Sequence, residues 1–190
     1  MAVTHVFTDR QIGTDTVRTL TLAQSPAAGQ RIVLGVLRSS GSTISSNFAP
    51  VTSAGFTSEL TTTTASSFTA IADVLTKVSD GTETSIVVDY TASGGTDQEA
   101  GGDVVMSVAY VDNVDSISVS GSEQVGATFS WATDQDDITL HFGGTQSDAD
   151  LITTLFPSGD TQQAHSGATG FLNGGIAVCL LYTSPSPRDS

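Results

Sequence analysis

Very little in this chain suits it to the common chemistries. Its 190 residues include one cysteine, Cys179, and one lysine, Lys77. A lone cysteine excludes an internal disulfide framework and any thiolate-rich metal site. Six basic residues against twenty acidic ones give a net charge of -14. That balance argues against nucleic acid as a partner, because such affinity comes from neutralising phosphates with Lys and Arg. It argues equally against an anionic membrane surface. No apolar run approaches the ~20 residues that cross a bilayer as a helix. Met1 to Asp9 lack the basic start and apolar run of a secretory signal. The chain is therefore expected to stay in the cytoplasm or to leave it inside an assembled particle.

Catalytic patterns are missing too. The Gly-x-Ser-x-Gly turn that strains and exposes a hydrolase serine does not occur. His5, His141 and His165 stand far apart, without the close helical spacing of a zinc protease. A glycoside hydrolase needs two carboxyl groups flanking a sugar. Here most acidic residues fall in turns, where Asp is favoured because its side chain bonds nearby backbone. The clusters Asp134-Asp136-Asp137 and Asp148-Asp150 carry carboxylates that calcium favours, but neither has the spacing of a helix-loop-helix calcium site. They read better as solvated turns. Tyr90, Tyr110 and Trp131 would stack on sugars if exposed, yet each shares a strand face with apolar neighbours and reads as core. No residue is assigned a catalytic, cofactor-binding or metal-ligating role, and no cofactor is expected.

What the chain does have is β propensity. Thr, Ser, Val, Gly and Ile dominate, and the helix formers Lys, Glu and Met are scarce. Val17 to Leu22 alternates, with Leu20 and Leu22 on one face. Arg31 to Leu37 is apolar on both faces, which predicts a central strand covered on both sides. Ser67 to Val78 predicts a long strand with Phe68, Ala70, Ala72 and Val74 sharing a face. Asp80-Gly81 marks a tight turn before Thr84 to Thr91, which turns Ile86, Val88 and Tyr90 inward. Val104 to Val111 places Val104, Met106, Val108 and Tyr110 together. Further strands are predicted at Ser116 to Val119, Thr128 to Trp131, Asp137 to Phe142 and Gly170 to Val178, the middle two as a hairpin. Asp148 to Phe156 reads as loop or a short helix, and Thr61 to Thr64 as an exposed strand edge or loop. The class expected is all-β, an antiparallel β-sandwich or jelly-roll-like fold. Its core is predicted to contain Leu20, Leu34, Val36, Phe68, Val88, Met106, Val108, Phe129, Trp131, Leu140 and Phe142.

Two resemblances add to this reading. Cys179-Leu180-Leu181-Tyr182-Thr183-Ser184-Pro185-Ser186-Pro187-Arg188-Asp189 resembles, codon for codon, a transposon-end sequencing adaptor translated in frame. The match implies a gene fragment from bulk environmental sequencing. Residues 1–178 are then one β-sandwich domain cut short at its C-terminal side, and 179–190 an adaptor-derived tail. Leu180, Leu181 and Tyr182 are nonetheless able to prolong the last strand. Setting the tail aside removes Arg188 and Asp189 together, so the charge stays at -14.

The second resemblance begins at Gly29. Gly29-Gln30-Arg31-Ile32-Val33-Leu34-Gly35-Val36-Leu37 is similar to a Gly-Asp-apolar opening strand. Pro50-Val51-Thr52-Ser53-Ala54-Gly55-Phe56-Thr57 is similar to a Pro-x-x-Gly-aromatic-Thr element. Leu75-Thr76-Lys77-Val78-Ser79-Asp80-Gly81-Thr82-Glu83 matches a strand that ends in Lys-Val and an acidic turn. Tyr110-Val111-Asp112-Asn113-Val114-Asp115 matches an aromatic corner. In this order the elements resemble a β-sandwich domain of tailed-bacteriophage structural proteins, often tail- or appendage-associated. Gln30, where Asp is usual, and the wider gap around Pro50 to Phe56 depart from the pattern.

The resemblance implies a non-enzymatic virion component: a tail fibre, a tail tip or a capsid-decorating module, assembled in the host cytoplasm. Its partners would be other virion proteins and a host surface glycan, and it would form a symmetric homo-oligomer. The polar stretches Ser39 to Asn47, Gly94 to Gly102 and Ser158 to Gly167 are the expected contact loops. Two alternatives stay open. A bacterial carbohydrate-binding or adhesin module would carry an export signal or belong to a longer exported chain. A glycan-degrading enzyme would show converging carboxylates in a groove.

Cys179 to Ser190 is expected to pack poorly, and deleting it to leave the thermal midpoint almost unchanged; loss of stability on deleting Thr183 onward is the sharper check. A clear drop in a melting experiment would contradict the adaptor reading.

Overall fold

The computed structural model describes residues 3–12, 15–39, 51–63, 70–90, 103–112, 138–146, 161–166 and 172–180. For the last three of these segments the description concerns backbone pairing only. Ten strands follow in chain order: β1 (Val3–Ile12), β2 (Val17–Thr21), β3 (Arg31–Ser39), β4 (Thr57–Thr63) and β5 (Ala70–Val78), then β6 (Ser85–Asp89), β7 (Asp103–Val111), β8 (Ile138–Gln146), β9 (Thr161–Ser166) and β10 (Leu172–Leu180). Every strand pairing among them is antiparallel. The all-β, antiparallel class expected from alternation is the class observed.

A five-stranded sheet in the order β1-β7-β3-β5-β4 forms the centre. The ribbon β2-β6 packs on one face of it. Leu20 and Leu22, with Ile86, Val88 and Tyr90, meet Ile32, Leu34, Val36, Leu75, Val104, Met106, Val108 and Tyr110 in one core cluster. Val51 joins them, and Phe7 and Phe56 pack at the margin. The opposite face is also desolvated, with Val33, Ala72, Val74, Val105, Ala109 and Val111 all buried. The third sheet, β8-β10-β9, brings Cα atoms within 8 Å of β1, β3 and β7. Burial on both faces explains why β3 and β7 read as continuous apolar runs. Each such side chain, fully buried, is worth roughly 1.5–3 kcal/mol.

Six of the eleven predicted core residues, Leu20, Leu34, Val36, Val88, Met106 and Val108, lie in that cluster. Phe68, Phe129 and Trp131 fall outside the described residues. Leu140 and Phe142 hold register positions on β8, opposite Val178 and Ile176. The expected strands at Ser116 to Val119 and Thr128 to Trp131, and the stretch Asp148 to Phe156, also fall outside the described residues.

On β5, Ala72 and Val74 share a buried face, as expected, while Asp73 and Leu75 face the ribbon. Both faces of β5 are thus buried, and apolar residues occur in both phases. Other expectations need correction. β1 was not anticipated as a strand. It carries His5, Asp9, Arg10 and Gln11 and is only half buried, so it lacks a clean period of two. Ser158 to Gly167 is not all loop, since β9 occupies Thr161–Ser166 and pairs with β10. Backbone hydrogen bonds alone can hold such a polar edge strand. The prolongation of the last strand that the sequence allowed is seen in part, since β10 continues through Cys179 and Leu180, paired with Thr139 and Ile138. The pairing therefore runs two residues into the adaptor-like segment.

Asp80-Gly81 does mark a turn, but one that crosses between layers, because β5 and β6 belong to different sheets. Gly81 has φ +87°, and a Cβ there would lie 3.1 Å from the Ala28 backbone nitrogen. That close approach lets Gly29 N–H donate to Ser79 O (2.9 Å) and Ser79 N–H to Gln30 O (2.8 Å). The β2–β3 and β5–β6 connections are thereby tied together. At the edge of the described sheet, β4 is Thr-rich and is bulged between Ser58 and Leu60. Bulged, polar edges resist pairing with other chains. Thr61 to Thr63 belong to the edge strand of the described sheet, and Thr61 is exposed, as expected; Thr64 is outside the described residues.

Leu34 is fully buried on the central strand. Leu34→Ala is expected to destabilise by about 2–5 kcal/mol, read as a lowered urea midpoint with an unchanged m-value.

Candidate functional site

Antiparallel pairing puts the ends of many strands at one pole. The C-terminal ends of β1, β3, β4 and β6 and the N-terminal ends of β2, β5 and β7 meet there. The connections 40–50, 64–69 and 91–102 leave from this pole. Of the expected contact loops, Ser39 to Asn47 starts at its rim and Gly94 to Gly102 ends beside Asp103; beyond Ser39 both lie outside the described residues.

Just inside this pole sits the most unusual chemistry of the described residues. Asp73 on β5 is fully buried. Its Oδ2 accepts a hydrogen bond from Arg38 Nη2 on β3 at 2.8 Å, a salt bridge whose side chains are 3% and 1% exposed. Its Oδ1 accepts from Thr61 Oγ1 on β4 at 2.6 Å and from the Val51 backbone nitrogen at 3.4 Å. A carboxylate removed from water costs several kcal/mol unless donors replace the solvent. Here three donors from three separate segments do so.

The ribbon is joined to the same cluster through Tyr90. Its ring lies under the Arg38 guanidinium, 4.9 Å from centroid to Cζ, a cation–π placement. Its hydroxyl accepts from Arg18 Nε on β2 at 3.2 Å and donates to Asp15 O at 2.9 Å. Arg18 is itself 7% exposed, and its Nη2 is buried without an acceptor. Two arginines, one aspartate and one tyrosine thus lock both layers together directly beneath the departing connections. The sequence reading missed this cluster. Its only signal was the presence of Arg18, Arg38 and Asp73 at inward positions of otherwise apolar alternations.

A second ionic site secures the opposite pole. Lys77 Nζ lies 2.7 Å from Glu83 Oε1, and Ser79 Oγ donates to Glu83 Oε2 at 2.6 Å. Burial alone would raise the Glu83 pKa. The hydrogen bonds from Lys77, Ser79 and nearby backbone outweigh it and hold the carboxyl at about 2. Burial, and secondarily the Glu83 charge, push the Tyr110 phenol up to about 12. Tyr110 donates its hydroxyl to Gln24 O at 2.7 Å, so it is a fixed core residue. Gln30 joins this pole as well, accepting from Ala27 N and donating to Thr4 and Asp112.

The other residues singled out do not converge. His5 lies on β1 with its ring 5.0 Å from that of Tyr110. His141 and His165 belong to β8 and β9, at positions opposite Ala177 and Gly175. Tyr90 and Tyr110 are buried at 4% and 1% exposure, as expected of core residues. Trp131, Asp134, Asp136, Asp137, Asp148 and Asp150 lie outside the described residues. Among the described residues no group of three or more His, Cys, Asp or Glu is placed to hold a metal ion, and no helix is long and apolar enough to cross a membrane. Comparison with protein-family models, curated proteins and solved structures returns no match.

Asp73→Ala deprives Arg38 of its buried carboxylate and is expected to cost about 3–5 kcal/mol. The double change Arg38→Met with Asp73→Leu should recover most of that loss in denaturant titrations, because neither charge is then left behind. A pH prediction follows from Glu83. Its folded pKa lies below its ordinary value of 4.5, so the unfolded state binds the proton more readily. Its contribution is complete above about pH 4.5 and declines as pH falls through about 2. Wild-type protein should therefore lose stability over that window more steeply than Glu83→Gln.

Proposed function

We propose that this chain is a structural component of a bacteriophage particle: a tail-fibre, tail-tip or capsid-decorating module that presents loops from a β frame and catalyses no reaction. The observation that carries this reading is the inward use of charge at the pole where β1, β3, β4 and β6 end. Arg38, Asp73, Arg18 and Tyr90 hold β2, β3 and β5 to one another inside the layers. Ionisable groups arranged this way fix the roots of the connections, which is what presenting a surface on a stable frame requires. The likeness of the four motif elements to tail-associated sandwich domains supports the same reading. On this view the protein resides in the virion, contacts other virion proteins and a host surface glycan, and occurs as a symmetric homo-oligomer.

Mass spectrometry of purified particles from a host carrying the gene is the direct test, and the protein is expected among the particle proteins. Its absence from particles would overturn the reading. Polysaccharide cleavage abolished by mutating one pair of carboxylates would replace it with the glycan-degrading alternative, and surface display on a bacterium with the adhesin alternative.

A further inference from the structure

Asp80-Gly81 is the one Asp-Gly step in the chain, and the turn around it brings together the groups that cyclisation of such a step uses. Asp80 Oδ1 accepts from the Thr82 backbone nitrogen at 2.9 Å and from Thr82 Oγ1 at 2.6 Å. A bond to the amide two residues on folds the Asp80 carboxyl forward over its own peptide bond with Gly81. The Gly81 N–H donates to Ser79 Oγ at 2.9 Å, and Ser79 Oγ donates in turn to Glu83 Oε2 at 2.6 Å. Lys77 Nζ lies 2.7 Å from Glu83 Oε1 and fixes the carboxylate end of this relay. Ser79 and Glu83 are buried, whereas Asp80, Gly81 and Thr82 are exposed to water. Gly81 has no side chain to hinder approach to its nitrogen, and a Cβ there would lie 3.1 Å from the Ala28 backbone nitrogen.

We propose that Asp80-Gly81 is a self-modification site, at which the folded turn promotes closure of a succinimide between the Asp80 side chain and the Gly81 nitrogen, opened by water to isoaspartate. In the neutral acid, Oδ1 is the carbonyl oxygen and Oδ2 the hydroxyl. The Gly81 nitrogen bonds to Asp80 Cγ, and the negative charge that develops on Oδ1 meets two donors already in place. The Gly81 proton passes to Ser79 Oγ as the Ser79 hydroxyl proton passes to Glu83. A proton returned to the Oδ2 hydroxyl lets it leave as water. The Glu83 carboxyl titrates at about 2 and is a weak base, so its part comes late, once the nitrogen has begun to bond and its proton has turned acidic. Ring closure loses one water and hydrolysis adds one back. Opening at the Asp80 main-chain carbonyl leaves Gly81 joined through Cγ, which is isoaspartate; opening at Cγ restores aspartate. Isoaspartate lengthens the main chain by one carbon where Gly29 and Gln30 bond to Ser79. The change is a single event within the chain, not turnover of a substrate, and it does not rest on the virion reading.

The test incubates the full chain in mildly acidic buffer, folded in one arm and unfolded by urea in the other. Loss of one water is followed by intact mass, and isoaspartate at residue 80 by peptide mapping with electron-transfer fragmentation. The folded chain is expected to convert at Asp80 several-fold faster than the unfolded chain, in which the same step has neither relay nor fixed donors. Ser79→Ala and Glu83→Gln break the relay at its middle and at its end. Each should slow the folded chain several-fold and leave the rate in urea unchanged. Thr82→Val, at an exposed position, removes the hydroxyl that donates to Oδ1 and should act in the same way. It serves alone if the two buried variants do not fold. Absence of isoaspartate at residue 80, a rate in urea equal to or above the folded rate, or folded variants as fast as wild type would each overturn the proposal.

Discussion

A carboxylate buried within a sheet is the constraint around which one pole of the structure is organised. Asp73 would be intolerable there on its own. It is acceptable because Arg38, Thr61 and the Val51 backbone bring donors to it from β3, from β4 and from the segment before β4. Each donor is useful only if its own segment is correctly registered. A one-residue slip of β5 would send Asp73 to the other face, among Val33, Val105 and Ala109, and strand Arg38 without it. Hydrophobic burial drives the layers together, whereas this polar cluster makes one registry much better than its neighbours.

The two poles use charge to different ends. At the turn pole, Lys77 and Glu83 close the crossing between β5 and β6, where Gly81 lets two connections approach. Gln30 and Tyr110 reinforce the same pole through bonds to Thr4, Asp112 and Gln24. At the opposite pole the charges lie deeper and join layers across the core. Gln30, Gly55, Lys77, Glu83 and Tyr110, all within the motif elements quoted above, turn out to be joints of the frame. Gly55 takes φ +77° beside the Lys77 side chain, and Gln30 bonds three separate segments. Such residues hold a frame together without implying a chemistry.

Much of the frame is legible in the sequence wherever one face is wet. The ribbon is the plainest case, since Arg18, Leu20, Ile86 and Val88 are buried while Val17, Thr19, Ser85 and Val87 are exposed. Alternation weakens as a guide when both faces are buried: on β5 it groups Ala72 with Val74 correctly but does not say that Asp73 and Leu75 face the ribbon. It fails again when neither face is fully buried, and β1 goes unseen. The ionic cluster is hidden for a different reason. Arg18, Arg38 and Asp73 are far apart in sequence, and each alone is an ordinary polar residue. Only the pairing of β3 with β5, and the packing of the ribbon over both, makes them neighbours.

The central sheet also sets a timetable for its own synthesis. β1 precedes the other strands of that sheet, yet its only partner there among the described residues is β7, whose Val111 pairs with Val3. At ~5–20 residues per second, the intervening hundred or so residues take on the order of 5–20 s to translate. Throughout that interval β1 has emerged, or is emerging, with neither edge paired. A strongly apolar strand in that position would be an invitation to aggregation between nascent chains on neighbouring ribosomes. The mixed sequence of β1, with His5, Asp9, Arg10 and Gln11 set among Val6 and Phe7, is one that can wait in water.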